Sequence, residues 1–129
     1  MQYYFSKKLA NTTFDQALEK VGEVLKSKGF GILTEIDVQA TMKKKLDKDL
    51  RPYKILGACN PSFAYQALQA ENKIGTMLPC NVIVQELEGG AIEVSAVDPM
   101  ASMQAVENPA LEGIAGEVQA QLKSAIEAL

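Results

Sequence analysis

The sequence predicts a single α+β domain in which a mostly antiparallel, curved sheet is covered on one face by two long helices. Residue patterns follow the order strand, helix, strand, short helix, strand, helix, two strands, helix. Consecutive strands, joined by a hairpin signal at Gly89-Gly90, favour α+β over a doubly wound parallel sheet. The chain has 129 residues, 47% of them apolar. One domain spanning 1–129 can therefore bury a sizeable core.

The first three elements follow from strand composition and helix-capping signals. Residues 2–9 mix aromatic and polar side chains and predict a strand. Thr13 and Gln16 have the spacing of a capping box, and Gly29 is placed to end the helix in a left-handed conformation. Residues 30–37 alternate apolar and polar side chains and predict the second strand. The helical stripe between them consists of Phe14, Ala17, Leu18, Val21 and Leu25.

The middle of the chain predicts a short helix, a strand and a further helix. Val38, Met42 and Leu46 stand four residues apart, which is a helical spacing. Residues 53–59 predict the third strand, and Asn60-Pro61 has the form of a helix cap followed by proline at the first helical position.

The last part of the chain predicts a hairpin and a long amphipathic helix. Residues 81–87 and 91–98 form the two strands, with Gly89 and Gly90 as a two-residue loop. Asn108-Pro109 repeats the cap-plus-proline start. An apolar stripe then runs from Leu111 to Leu129, which predicts a helix of about five turns.

The hairpin register predicts a polar pair at the rim of the core. With a two-residue loop, Leu87 opposes Ile92 and Asn81 opposes Asp98, and directly opposed residues share a face. We therefore expect Asn81 and Asp98 to lie together at the open end of the hairpin, on the side of the helices, with Cys80 beside them. Asp98 would accept hydrogen bonds there, from Asn81 or from a backbone N–H that follows it.

Charge and composition narrow the classes of function. The net charge of -3 argues against nucleic acid, which binds basic surfaces. No apolar run reaches the roughly 18 residues of a membrane span, and the N-terminal residues lack a secretory signal. These observations favour the cytoplasm, where cysteines are thiols. The chain has no histidine, which removes the commonest general base.

Two cysteines, each followed by asparagine, are the candidate chemical groups. Cys59 directly precedes a helix N-terminus, which would lower its thiol pKa. Cys80 begins the next long strand, so neighbouring strands would bring both sulfurs to one edge of the sheet. The pair is compatible with buried structural residues, a soft-metal or cofactor site, a redox pair or a disulfide. A soft metal held by Cys59 and Cys80 could gain a thioether ligand from Met77 or Met100, and a closed zinc site would need a further ligand from Asp98 or a second subunit.

Several sequence blocks resemble a known family. They are GFGILTEIDVQATMKKKL, RPYKILGACNPSFAYQAL, IGTMLPCNVIVQE and the VDP that precedes NPALE. Together they are similar to the conserved blocks of domain-of-unknown-function family 302, the TT1751-like proteins. The resemblance implies a TATA-box-binding-protein-like order, β-α-β4-α, with short helical insertions, and a homodimer. It also implies these signature residues: Asp37, Gly57, Cys59, Asn60, Pro61, Glu71, Gly75, Leu78, Pro79, Cys80, Asn81, Asp98 and Pro99.

The expected function is binding of a small ligand, soft metal or cofactor at a rim of cysteine, asparagine and aspartate side chains. An alternative is a thiol-dependent enzyme or redox protein that uses Cys59, although no histidine is present to activate it. Another is a structural or interaction protein with no site. The sequence names no cofactor. The candidate ligand-binding residues are Cys59, Asn60, Cys80, Asn81, Asp98 and Asp37.

Overall fold

The fold, described for residues 2–129 by a computed structural model, is one antiparallel sheet with helices between its strands and two further helices after the last strand. The strands are β1 Tyr4–Leu9, β2 Gly31–Asp37, β3 Tyr53–Cys59, β4 Cys80–Glu86 and β5 Ile92–Val97, in the spatial order β1-β5-β4-β3-β2. The helices are α1 Phe14–Ser27, α2 Val38–Leu46, α3 Pro61–Ala70, α4 Pro99–Ser102 and α5 Ala110–Glu127, with a 3-10 turn at Ile74–Met77. The predicted α+β class and element order are confirmed.

The starts of α1 and α3 follow the predicted caps, whereas α5 begins one residue later than predicted, with Pro109 rather than Asn108 in the cap position. The Thr13 hydroxyl accepts from the Gln16 N–H at 3.1 Å, and the Gln16 carboxamide accepts from the Thr13 N–H at 3.1 Å. Gly29 has a φ of 87°, the left-handed conformation expected after α1. Asn60 caps α3 by accepting from the Phe63 N–H at 3.3 Å. Local sequence therefore sets where each of these helices begins or ends.

The core lies between one face of the sheet and the two long helices. Val21 and Leu25 of α1 and Leu122 of α5 pack with Val82 of the central strand β4 and Val94 of its neighbour β5. All five side chains are almost fully buried, and each contributes about 1.5–3 kcal/mol through removal from water. Within residues 2–129, no helix combines the length and apolar character needed to cross a membrane.

The β4–β5 hairpin has a three-residue loop, so the predicted two-residue loop is wrong. The Leu87 N–H donates to the Ala91 carbonyl at 2.8 Å, and Gly89 and Gly90 both adopt positive φ, at 93° and 95°. Val82 then opposes Ala96. This is a one-residue slip from the predicted register, and such a slip turns every β4 side chain to the other face of the sheet.

The observed register is the one that completes the core. It places Val82 and Val84 on the same side as Ile92, Val94 and Ala96, and all five side chains are buried. Ile83 and Gln85 turn instead to the face opposite the main core, where Gln85 is still largely buried and hydrogen-bonds with Arg51 and Glu93. Two short elements were not predicted, the 3-10 turn and α4, because a single turn is too short to show a periodicity.

Candidate functional site

The two cysteines lie at the same edge of the sheet, as predicted. Ala58, the neighbour of Cys59 on β3, pairs with Cys80 on β4. Both cysteines line a small, half-open space of about 30 Å³, which we call the thiol cavity. Apolar side chains, including Phe30, Phe63 and Val118, form much of the rest of its wall. This space is about the volume of one water molecule in the liquid.

Both cysteines are free thiols, and both are harder to ionise than an exposed cysteine. Burial raises the pKa of Cys59. Burial also raises the pKa of Cys80 to about 11, and the nearby Cys59 adds to the rise. The expected lowering of the Cys59 pKa by the α3 N-terminus is therefore not found. The Asn60 carboxamide already occupies one of the free N–H groups there, and Cys59 is partly withdrawn from water.

A metal site at the cysteines has no carboxylate to complete it among residues 2–129. Between residues 2 and 129, no three cysteine, aspartate or glutamate side chains are grouped closely enough to hold a metal ion. Closed metal sites built on thiolates use about four ligands. A metal held by Cys59 and Cys80 would therefore need donors of another kind, such as the thioether of Met103 in the same cavity, or donors from another molecule.

Asp98 is fixed by two neighbouring elements. Its Oδ1 accepts from the Met100 N–H at 2.9 Å, which caps α4. The Gln119 side chain on α5 donates to both carboxylate oxygens, at 3.0 and 3.2 Å. The backbone hydrogen bond was expected as one of two options. Gln119 was not identified from the sequence, because a glutamine beside an apolar stripe resembles any surface residue.

Asn81 does not join Asp98, so the predicted pair at the rim is wrong. In the observed register Asn81 pairs with Gly57 and is exposed on the open face of the sheet. The one-residue difference in the hairpin is the physical cause, because side chains alternate between faces along a strand. Asn81 lines neither the thiol cavity nor the cleft described below.

Asp37 lies at the opposite end of β2 from the cysteines. Gly31 pairs with Cys59, whereas Asp37 pairs with Lys54, six residues further along the strand. At about 3.3 Å per residue this places Asp37 roughly 20 Å away. Its side chain caps α2 by accepting from the Ala40 N–H at 2.9 Å. The structure therefore does not bring Asp37 to the other candidate residues.

A larger cleft opens beside Asp98, between α4, the following segment and the start of α5. Its volume is about 660 Å³. That volume lies within the range of small-molecule sites, roughly 300–1,000 Å³. Met100, Met103, Val106 and Leu111 give it apolar surface. The polar residues along it are Gln2, Asp98, Gln104, Glu107, Asn108 and Glu112. Because all three charged residues in this set are acidic, we call it the acidic cleft.

The acidic cleft and the thiol cavity share a wall. Met103 and Ala115 line both spaces, whereas Asp98 lines the cleft alone and the two cysteines line the cavity alone. Asp98 and the two cysteines, which were predicted to share one rim, therefore line two adjoining spaces. The segment between Asp98 and Asn108 was missed because it has no sequence periodicity. Its excess of methionine and small apolar residues is the signal that could have indicated a ligand surface.

Comparison with known proteins places the chain in a family. Residues 5–129 match the family described as "Domain of unknown function DUF302". This chain belongs to the DUF302 family. The crystal structure of an uncharacterized conserved DUF302 protein from Bacillus stearothermophilus has the same fold, with a TM-score of 0.91 and 25% sequence identity. The match covers 98% of each chain. Among curated proteins, none matches this chain significantly.

Proposed function

We propose that this DUF302 protein binds a small organic molecule in the acidic cleft and that Asp98 anchors the ligand. The observation that carries the proposal is a cleft of about 660 Å³ with a fixed carboxylate in its wall. Ligand sites typically combine an apolar lining with a few placed polar groups. Met100, Met103 and Leu111 supply apolar surface beside Asp98 in this arrangement.

The charge of the cleft favours a cation or a hydrogen-bond donor. Asp98, Glu107 and Glu112 are the charged residues among the described ones that line it. Three carboxylates around one ligand site repel an anion and attract an ammonium group. An organic amine with an apolar body therefore fits the chemistry of this surface.

Asp98 has an acceptor position left for a ligand. A carboxylate has about four lone-pair sites for hydrogen bonds. The Met100 N–H and the two contacts from Gln119 use three of them. These contacts fix the direction of the carboxylate, so the remaining site is oriented before a ligand arrives. Such preorganisation reduces the entropy lost on binding.

A matched pair of probes tests this proposal by thermal unfolding. Benzylamine, which is cationic near neutral pH, and benzoate share a ring and differ in charge. A probe present at ten times its Kd stabilises the folded state by about 1.4 kcal/mol. We expect benzylamine, but not benzoate, to raise the Tm. Asp98→Asn should abolish that rise while keeping the α4 cap, and Asp47→Asn, on an exposed and remote loop, should leave it unchanged. Equal effects of the two probes would refute the proposal.

The remaining candidate residues have weaker support as ligand groups. The raised pKa values of Cys59 and Cys80 disfavour a thiolate nucleophile near neutral pH, so the alternative thiol-dependent enzyme is less well supported. Asn60 supports the site by capping α3 beside the thiol cavity.

We also propose a cytoplasmic location, because two free thiols suit a reducing compartment.

We further propose that the chain forms a homodimer through β2 and α2. None of residues 31–46 is buried, and Leu33 is 66% exposed on the edge strand of the sheet. Exposed apolar edge strands are usually protected by pairing or covering. Light scattering should give twice the chain mass, and Leu33→Glu should give the monomer. Tyr65→Glu, at a similarly exposed position on α3, should remain dimeric. A wild-type monomer would contradict this proposal.

A further inference from the structure

We propose that the acidic cleft and the thiol cavity are two parts of one ligand site and that Met103 is the movable wall between them. This inference rests on the proposed function and extends it. A ligand whose ammonium group binds Asp98 places its apolar end against Cys80 when Met103 swings aside. The ligand class is therefore an amine with a short alkyl or aryl tail.

The first argument is the composition of the shared wall. Met103 and Ala115 line both spaces. Ala115 is buried and its methyl group is fixed to the backbone of α5, so it cannot open a passage by rotating. Met103 has three rotatable bonds and a soft thioether, and methionine adapts readily to irregular spaces. The wall can therefore open by rotation of one side chain.

The second argument is the position of Met103 in the chain. It is the C-terminal cap of the single-turn helix α4, and its N–H donates to the Pro99 carbonyl at 3.0 Å. Residues 103–109 contain turns and no regular helix or strand. Segments of this kind open locally at lower free energy than core strands and helices. The Met103 side chain is half-buried, and it packs outside the main core.

The third argument is the mismatch between the size and the lining of the thiol cavity. At about 30 Å³ it holds no more than about one water, yet Phe30, Phe63 and Val118 offer that water few hydrogen bonds. An apolar group suits such walls better than water does. Rotation of Met103, which lines both spaces, would join the cavity to the cleft and make room for such a group beside the buried Cys80.

The test measures how fast Cys80 reacts with two methanethiosulfonate reagents, one carrying a trimethylammonium group and one a sulfonate. The Cys80 thiolate forms a disulfide with the reagent and releases methanesulfinate. Cys59→Ser serves as the background, so that a single thiol is labelled. The rate for each reagent is first divided by its rate with a small free thiol. We expect the cationic reagent to be preferred, because the route passes the carboxylates of the cleft.

Substitutions at Met103 then test the wall itself. Met103→Ala should speed labelling by the cationic reagent by roughly tenfold or more, because the opening step no longer limits access. Met103→Leu keeps the volume and should change the rate little. Met100→Ala is the matched control, since Met100 lines the cleft but not the thiol cavity. Equal rates in the two alanine variants would overturn the proposal.

Two further readouts separate the possible failures. If Met103→Ala merely unfolded the protein more often, both reagents would speed up equally and the charge preference would disappear, which would overturn the inference. The double variant Glu107→Gln and Glu112→Gln should reduce the preference for the cationic reagent. It should do so without making the protein unfold more often. If benzylamine binds at Asp98 but Met103→Ala labels slowly, the movable wall fails alone. If labelling behaves as expected but benzylamine does not bind, the proposed function fails alone.

Discussion

Gly57→Ala should destabilise the protein through steric overlap at the strand end that leads to the thiol cavity. A Cβ atom at Gly57 would overlap Thr34 Oγ1 and lie 2.7 Å from the ring carbon Cγ of Pro79. The χ1 angle of threonine is restricted by its branched Cβ, and the proline ring cannot rotate away. Overpacking of a buried position costs about 1–3 kcal/mol. Two simultaneous overlaps at a buried residue place Gly57→Ala near the upper end of that range.

Urea unfolding followed by circular dichroism measures this effect. With the slopes typical of small proteins, the midpoint should fall by roughly 1–2 M. Gly31→Ala is the matched control, because Gly31 is also a strand residue and a Cβ there meets nothing within 4 Å. It should be neutral or stabilise by up to about 1 kcal/mol. Thr34→Ala in the Gly57→Ala background should recover part of the loss. A midpoint for Gly57→Ala within experimental error of the wild type would refute the close approach of these strands.

Two other substitutions have defined outcomes. Asn60→Ala should lower the free energy of unfolding by about 1 kcal/mol through loss of the α3 cap. Asn60→Asp can still accept from the Phe63 N–H and should lower it much less. A neutral Asn60→Ala in the same urea assay would count against this cap. The pKa of Cys80 is about 11 in the folded state and 9.0 for an ordinary thiol, so between these pH values the unfolded chain loses the thiol proton more readily. The free energy of unfolding should therefore fall between pH 9 and 11, by up to about 3 kcal/mol. Cys80→Ala should remove that part of the fall, and identical pH profiles for the two proteins would contradict the burial of the thiol.

The helix and strand positions could be predicted because their signals are local. The Thr13–Gln16 capping box, Gly29 after α1 and Asn60-Pro61 before α3 each act within a few residues, and the structure confirms all three. The hairpin register could not be read in the same way. Gly89-Gly90 fits loops of two or three residues, and the choice depends on which pairing buries Val82 and Val84 against β5. That choice is made by tertiary packing rather than by the turn.

The candidate site could be predicted only in part, because some of its features depend on tertiary packing rather than on local sequence. The neighbouring positions of Cys59 and Cys80 were expected on the condition that their strands are adjacent, and the structure pairs β3 with β4. The grouping of Asn81 with Asp98 depended on the hairpin register and failed with it. The acidic cleft depends on how α4 and the segment after it fold over the start of α5. No periodicity encodes that arrangement, so neither the cleft nor Gln119 could be predicted.

The measurement that tests the central claim most directly is a titration of benzylamine into methyl-labelled protein, followed by NMR of the methionine methyl groups. Met100 and Met103 line the acidic cleft, whereas Met42 on α2 and Met77 lie elsewhere and serve as internal controls. We predict saturable shifts at Met100 and Met103, little change at the other two, and no comparable effect of benzoate. Unchanged Met100 and Met103 signals, or equal shifts at all four methyl groups, would contradict a ligand site in this cleft.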